Sequence, residues 1–175
     1  MKKIKQIVTI FAALALAVTA GLSFAGTKTK AAGSDEFTRT AIEIAADMGY
    51  GWNLGNTMEA TNTWTSNPKV TDFETAWGQP VTTKAMIDGI KKAGFNSIRI
   101  PVSWSNMMSS DGNYTIDASY FKRVDEIISY AFANDMYVII NDHYDGGWWE
   151  HFCGNKRDCM KHYKNMWTQV AEHYK

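Results

Sequence analysis

Polar and aromatic residues directly follow an apolar stretch late in the sequence, where residues 141–149 read NDHYDGGWW. A histidine beside carboxylates can act as a general base, a metal ligand or a hydrogen-bonding partner for a substrate. Metal ligation needs three or four donors, and His143 with Asp142 or Asp145 matches neither the H-x-H nor the H-E-x-x-H spacing. We therefore favour substrate positioning by His143, with a structural histidine that bonds strand-end carbonyls as the alternative.

Arg99 lies inside an otherwise apolar stretch, residues 98–102 (IRIPV). An unpaired guanidinium in such surroundings would be costly, so we expect an anionic partner. That partner is either a catalytic carboxylate, which the arginine would hold in its ionised form, or an acidic residue on a neighbouring helix.

Indole side chains are frequent outside the N-terminal region, among them Trp52, Trp64, Trp77, Trp104, Trp148 and Trp149. Aromatic faces suit the C–H faces of pyranose rings, whereas Asn, His and Arg suit their hydroxyl edges. Most tryptophans fill cores, so the best candidates for a sugar platform are Trp148 and Trp149, which lie in a glycine-rich loop.

The elements that must position these residues alternate between strands and amphipathic helices. The patterns predict strands at 51–54, 96–102 and 137–141, and helices at 40–48, 82–93, 117–134 and 159–174. The third strand is apolar on both faces, which is typical of a parallel strand covered by helices. Because parallel neighbours need a crossover, this alternation predicts a parallel α/β sheet.

Two architectures share that alternation, a doubly wound sheet and a (β/α)8 barrel. Residues 51–56 (GWNLGN) lack the G-x-G-x-x-G order of a dinucleotide-binding turn. Every predicted strand instead ends in polar or aromatic groups, among them Asn53, Arg99 and His143, as in a barrel whose site lies at the carboxyl ends of its strands. We predict a (β/α)8 TIM barrel, of which about three β/α units are present.

The N-terminus has the order of a secretory signal peptide: Lys2, Lys3 and Lys5, an apolar run, and a small-x-Ala end at residues 23–25. Residues 1–25 are the predicted signal, with cleavage after Ala31 or Ala32 and an uncleaved anchor as alternatives. Residues 26–36 are a predicted flexible leader, and ordered structure should begin near Phe37. We expect a secreted, extracellular protein.

Charge and composition narrow the classes of partner. The chain has 18 Lys+Arg and 18 Asp+Glu, and loss of the signal would remove three lysines and leave a mildly acidic protein. Nucleic acid and anionic membranes attract basic patches, so neither is an expected partner. A hydrophobic content of 45% suits a packed globular domain.

Cys153 and Cys159 are the two cysteines of the chain. In an exported protein they could form a short-loop disulfide. A zinc set with His151 and His162 is a second interpretation, although its spacing matches no usual finger pattern. Two free thiols are the third.

Four motifs in order resemble glycoside hydrolase family 5, most closely its bacterial endo-β-1,4-glucanase branch, which also accepts mixed-linkage glucan, xyloglucan or xylan. They are residues 51–60 (GWNLGNTMEA), 74–80 (ETAWGQP), 98–104 (IRIPVSW) and 140–143 (INDH). The resemblance implies hydrolysis of internal β-1,4-glycosidic bonds with retention by two glutamates, about 5–5.5 Å apart. It implies no cofactor and no metal.

By motif match, Arg99 would support the nucleophile and His143 would line the sugar subsite next to the scissile bond. Asn53 would contact a sugar on the non-reducing side. Tyr144 stands where relatives often have a second histidine, a departure that concerns fine substrate preference rather than class. We count Tyr144, Trp148 and Trp149 with Asn53 as candidate substrate-binding residues.

The resemblance also places the two glutamates at the ends of strands 4 and 7, and neither motif occurs in the sequence. We therefore expect residues 37–175 to be the N-terminal part of a catalytic domain and to be inactive alone. A further binding or docking module would lie beyond it. The alternatives from other classes are a secreted carbohydrate-binding module without hydrolysis and a zinc-dependent hydrolase that uses His143, His151 and the cysteines.

Overall fold

The computed structural model describes residues 39–175. The predicted signal peptide and leader lie outside the described residues. Helix α1, Ala41–Met48, begins with a reciprocal cap in which Thr40 N donates to Glu43 Oε2 at 2.7 Å and Glu43 N donates to Thr40 Oγ1 at 3.3 Å. This helix belongs to a unit that ends at Met48, and all elements below belong to a second unit that begins at Gly49.

Three parallel strands form the sheet of the second unit: β1 (Gly51–Asn53), β2 (Ser97–Val102) and β3 (Tyr137–Asp142), in that order. The register aligns Asn53 with Arg99 and Arg99 with Ile139. All three carboxyl ends therefore meet at one edge of the sheet, which is where the sequence predicted a site.

Four helices accompany the strands: α2 (Val70–Glu74), α3 (Lys84–Lys92), α4 (Ala118–Phe132) and α5 (Lys156–His173). Thr83 caps α3 by accepting from Met86 N at 3.4 Å, and Asp117 caps α4 by accepting from Ser119 N at 2.7 Å. Short 3₁₀ segments follow β2 (Trp104–Met107) and β3 (Asp145–His151). The predicted helices and strands are confirmed, whereas α2 and both 3₁₀ segments were not predicted. None of the helices in residues 39–175 has the length and apolar character needed to cross a membrane.

The two faces of the sheet differ in burial. Ile98 and Ile100 are fully buried on the face that packs against the helices, with Trp104 and Tyr120 in the same core. On the opposite face Ile139 is 43% exposed. The expectation that β3 is covered on both faces is therefore not met within residues 49–175, where no element packs over the face that bears Ile139.

A buried ion pair ties the segment after β1 to helix α4. Glu74 is fully buried and accepts from Arg123 Nη2 at 2.8 Å, from Arg123 Nε at 2.9 Å and from Thr82 N at 2.7 Å. With Arg123 Nη2 also donating to Thr82 O at 2.7 Å, each partner's charge is hydrogen-bonded. A carboxylate can be buried when its charge is paired and hydrogen-bonded in this way.

Candidate functional site

The guanidinium of Arg99 connects the ends of all three strands. Its Nη1 donates to Asn53 Oδ1 at 2.6 Å on β1, and its Nη2 lies 3.0 Å from His143 Nδ1, just after β3. A guanidinium only donates, so Nδ1 of His143 must accept and the ring proton must be on Nε2. The contact therefore fixes His143 as a neutral imidazole whose Nε2–H can donate to a bound molecule.

No carboxylate within residues 39–175 pairs with the Arg99 guanidinium, so the predicted acidic partner on a neighbouring helix is not found there, whereas pairing with a catalytic carboxylate stays a prediction. The expectation assumed a buried side chain. Arg99 is half-buried on the open face of the sheet, where water solvates the charge and lowers the desolvation cost.

The backbone of His143 is held on both sides. Its N donates to Val102 O at 2.9 Å, and its carbonyl oxygen accepts from Asp145 N at 2.6 Å. The buried hydroxyl of Ser103 lies 3.1 Å from the same carbonyl and 2.8 Å from Glu59 O. The imidazole thus projects from a strand end that three neighbouring segments fix.

Four consecutive residues after His143 adopt left-handed backbone angles. Their φ values are 57° for Tyr144, 51° for Asp145, 69° for Gly146 and 71° for Gly147. Two of the four are not glycine, and such residues store strain unless other contacts impose the conformation.

The carboxylate of Asp145 supplies those contacts. It is 3% exposed and accepts from Ser105 N at 2.8 Å, from Ser105 Oγ at 2.6 Å and from Trp148 Nε1 at 2.9 Å. It therefore ties the left-handed turn to the segment after β2.

Ser105 connects the hydrogen bonds of Asp145 to helix α5. Its hydroxyl donates to Asp145, so it accepts from His162 Nε2, 2.9 Å away. The His162 ring stacks between Tyr114, at 4.4 Å, and Trp148, at 4.0 Å, and burial lowers the pKa of His162 despite the nearby Asp145. Because the hydroxyl proton points to the carboxylate and not to the histidine, this Ser-His-Asp set is not arranged for nucleophilic catalysis.

Asp142 forms an acidic pair with Asp145 at the end of β3. Burial, and then the charge of Asp145, raises the pKa of Asp142 to about 8. Its Oδ1 is buried without a hydrogen-bond partner among the described residues. The raised pKa favours the protonated form of Asp142 near neutral pH, since an ionised Asp142 would lie beside the buried carboxylate of Asp145.

The predicted aromatic platform divides into a packed and an exposed part. Trp148 stacks on His162 and bonds to Asp145, so one face of its indole belongs to the core. Trp149 is 49% exposed, its Nε1 donates to Tyr144 O at 3.1 Å, and Tyr144 is 47% exposed. Sugar contact by these residues stays a prediction, for which Trp149 and Tyr144 have free surface.

The predicted disulfide is not formed, since Cys153 and Cys159 are both free thiols. Cys159 lies on the buried face of α5 with Sγ 3.6 Å from Trp148 O, whereas Cys153 is exposed in the preceding loop. Within residues 39–175 no group of three His, Cys, Asp or Glu side chains could hold a metal ion. His162, one member of the alternative zinc set, has its Nε2 on Ser105.

Sequence reasoning did not single out Glu59 or Ser105, and it considered His162 only as a zinc ligand. Glu59 is 4% exposed, and it accepts from Asn56 N at 2.6 Å and Thr57 N at 2.9 Å, which shapes the loop after β1. A carboxylate side chain that accepts from backbone amides two and three residues before it forms a local pattern, which can be recognised in a sequence. The partners of Ser105 lie 40 and 57 residues away, beyond any local pattern.

The comparisons with known proteins agree with this geometry. The family model for cellulases, glycosyl hydrolase family 5, matches residues 58–175. The chain belongs to glycosyl hydrolase family 5. In that family the solved structures are (β/α)8 barrels, and the described segment is a partial α/β sheet of this fold.

Three similar proteins illustrate the match. Endoglucanase A of Paenibacillus barcinonensis is 42% identical over 169 residues, which is 93% of this chain and 41% of the relative. A xyloglucan-specific endo-β-1,4-glucanase of Bacteroides ovatus is 35% identical over 75% of this chain and 26% of its own length. A broad-specificity endoglucanase structure from Ruminococcus champanellensis with bound cellotriose has a TM-score of 0.72 and 42% identity, covering 78% of this chain and 40% of that one. The chain thus spans less than half the length of these proteins.

Proposed function

We propose that the complete protein containing this segment is a secreted endo-β-1,4-glucanase that cleaves internal bonds of cellulose or related β-glucans with retention. The observation that supports it most is the Arg99 bridge between Asn53 and His143, at the carboxyl ends of three adjacent parallel strands of a family 5 chain. In a barrel, this edge is where active sites are built.

The described residues would position the sugar rather than attack it. Retention requires one carboxyl group as acid/base and a second as nucleophile. Glu59 and Asp145 are buried and hydrogen-bonded to backbone and side-chain donors, and Asp142 is an aspartate paired with Asp145. In this proposal both catalytic glutamates therefore come from residues outside 39–175.

Arg99 and His143 would act on the substrate and on those glutamates. The guanidinium places a positive charge on the open face, which would keep a nearby carboxylate ionised and nucleophilic. The Nε2–H of His143 would donate to a sugar hydroxyl, while Asn53, held by Arg99, would orient its amide toward the adjoining sugar.

The substrate class is supported by relatives, one solved with cellotriose and one named for xyloglucan. Xylan is a further candidate substrate. Secretion is supported by the lysines, apolar run and small-x-Ala end of residues 1–25.

The stereochemistry of the product tests this proposal. The complete protein is mixed with cellopentaose and the newly formed reducing end is followed by proton NMR within the first minutes. We expect the β-anomer first, because two successive inversions retain configuration. Initial release of the α-anomer, or no cleavage, would contradict the proposal.

A further inference from the structure

The turn directly after His143 is of a rare kind. Tyr144 has φ 57° and ψ −56°, and Asp145 N donates to His143 O, two residues back, at 2.6 Å. Together these features make residues 143–145 a γ-turn of the positive-φ form, which is strained and uncommon in proteins. Such strain persists only where surrounding contacts impose it. Because His143 is the first residue of this turn, the contacts that hold the turn also set the direction of the His143 imidazole.

The carboxylate of Asp145 has the contacts that hold the turn. Its Oδ1 accepts from Ser105 N at 2.8 Å, while its Oδ2 accepts from Trp148 Nε1 at 2.9 Å and from Ser105 Oγ at 2.6 Å. The two N–H groups can only donate, and each faces a different oxygen. An amide has a single acceptor oxygen, so no orientation of an asparagine at position 145 would satisfy both N–H groups. The turn therefore requires a carboxylate, and a polar side chain of the same shape does not replace it.

The groups that bind this carboxylate belong to a packed part of the molecule. The hydroxyl of Ser105 lies 2.9 Å from His162 Nε2, and the His162 ring is stacked between Tyr114 and Trp148. Asp145 is itself buried, so water does not compete for its oxygen atoms. The position of the turn is therefore fixed relative to helix α5 and to the segment after β2.

On its other side, the turn leads to the group that faces the proposed substrate. His143 Nδ1 accepts from Arg99 Nη2 at 3.0 Å, which leaves Nε2–H for a sugar hydroxyl. A donor assists a reaction most when it is already in place, and a displacement of about 1 Å can cost on the order of 100-fold in rate. The carboxylate of Asp145 is engaged by Ser105 and Trp148, so it would act through His143 without touching the substrate.

From this arrangement we infer that Asp145 is a positioning residue for glucan hydrolysis, an assignment that rests on the proposed function. Its carboxylate holds the γ-turn at Tyr144, and the turn fixes the imidazole of His143 before the sugar binds. What the reaction needs from Asp145 is two acceptor oxygens in the right places, and its negative charge is secondary.

Steady-state kinetics of the complete protein on cellopentaose test this role, with urea unfolding measured for every variant. We expect Asp145→Asn to lower kcat by roughly 10- to 100-fold and to leave KM within roughly twofold, because sugar contacts remote from His143 are kept. Asp111→Asn is the matched control. Asp111 also accepts from a serine hydroxyl, at 2.7 Å, and from a backbone N–H, at 2.9 Å, but it lies in an exposed turn. Its variant should keep the kcat and KM of the unmodified protein.

A double variant separates the geometry of Asp145 from its charge. Trp148→Phe removes one of the two N–H donors, so the amide oxygen of Asp145→Asn can then accept from Ser105 N without conflict. We expect kcat of the double variant to lie within roughly threefold of the value for Trp148→Phe alone, although the charge is absent. A loss as large as that caused by Asp145→Asn in the unmodified protein would overturn the positioning role.

Ser105→Ala is a milder variant that probes the same link if Asp145→Asn does not fold. It removes the hydroxyl contact and keeps both N–H donors, so we expect kcat to fall by roughly threefold. An unmodified protein that leaves cellopentaose intact would reject the proposed function and with it the role of Asp145. Cleavage by the unmodified protein, with folded variants that unfold at lower urea but keep kcat, would reject the role of Asp145 alone.

Discussion

At the residue scale, Arg99 matters because one rigid fork of donors reaches two strands. Lysine has the same charge but a single ammonium, so it cannot bond Asn53 and His143 in the same geometry. We expect Arg99→Lys in the complete protein to lower kcat/KM on β-glucan by about 10- to 100-fold, which corresponds to about 1.5–3 kcal/mol for a lost charge-assisted hydrogen bond. Steady-state kinetics measure this.

The matched control for that variant is Lys84→Met. Lys84 is an exposed cation paired with Asp88 on helix α3, away from the strand ends. Exposed ion pairs contribute little to stability, so kcat/KM on β-glucan should remain within roughly twofold of the value for the unmodified protein. An Arg99→Lys protein as active as this control would show that the bridge does not position substrate.

The acidic pair at residues 142 and 145 gives a pH dependence with a defined sign. Unfolded Asp142 would titrate near about 3.9, whereas its folded pKa is raised to about 8. Between these values the folded protein holds a proton that the unfolded chain has released, so the free energy of unfolding falls as pH rises through this window.

Asp142→Asn should reduce that fall, because an amide cannot ionise but can still donate to Asp145. Urea unfolding of the complete protein at pH 5 and pH 8.5 measures the difference. Asp135→Asn, in an exposed turn, should keep the original pH dependence. If Asp142→Asn kept it too, Asp142 would not be the protonated partner.

At the element scale, two glycines allow the backbone conformation of a helix to be compared with that of a left-handed turn. Gly89 lies inside α3 and Gly146 in the left-handed turn after β3, and a Cβ added to either meets nothing within 4 Å. Gly89→Ala should stabilise the protein by about 0.5–1 kcal/mol through helix propensity. Gly146→Ala should destabilise it by about 1 kcal/mol, because its φ is 69°.

Denaturant unfolding of both variants checks this pair. Since neither substitution creates a clash, the difference in sign reports backbone conformation alone. Equal effects of the two substitutions would mean that the turn at 144–147 is not held in the left-handed region.

The long helices and strands were predictable because the spacing of their apolar residues shows which side chains are buried. Helix α4 and strand β2 have enough apolar residues at regular spacing to identify them, and Asp117 marks the start of the helix as a capping residue. Helix α2 has five residues, too few for a period to show. Its Glu74 is buried by pairing with Arg123, 49 residues away, which no local pattern reveals.

The site was predictable in part for the same reason. Asn53 and His143 lie at or just after strand ends and Arg99 lies within the strand between them, so the parallel order brings the three together. No described carboxylate pairs with Arg99, because its side chain lies on a face that the described elements leave open, and its pairing with a catalytic carboxylate stays a prediction. The role of Asp145 depends on Ser105 and His162, which meet only after the segments following β2 and β3 pack against α5.

At the scale of the whole molecule, the described segment would provide one wall of the proposed sugar-binding edge. It has three parallel strands, an arginine that joins their ends, and carboxyl groups that are engaged in holding loops. By this account, hydrolysis depends on glutamates outside residues 39–175, whereas recognition begins within them.

The most direct measurement compares hydrolysis of carboxymethylcellulose by the complete protein and by residues 39–175 alone, each verified by intact mass. Reducing-end release is followed at equal molar concentration. We predict turnover by the complete protein and none by the segment. Turnover by the segment, free of any longer species, would contradict it, as would a complete protein that leaves the polymer intact.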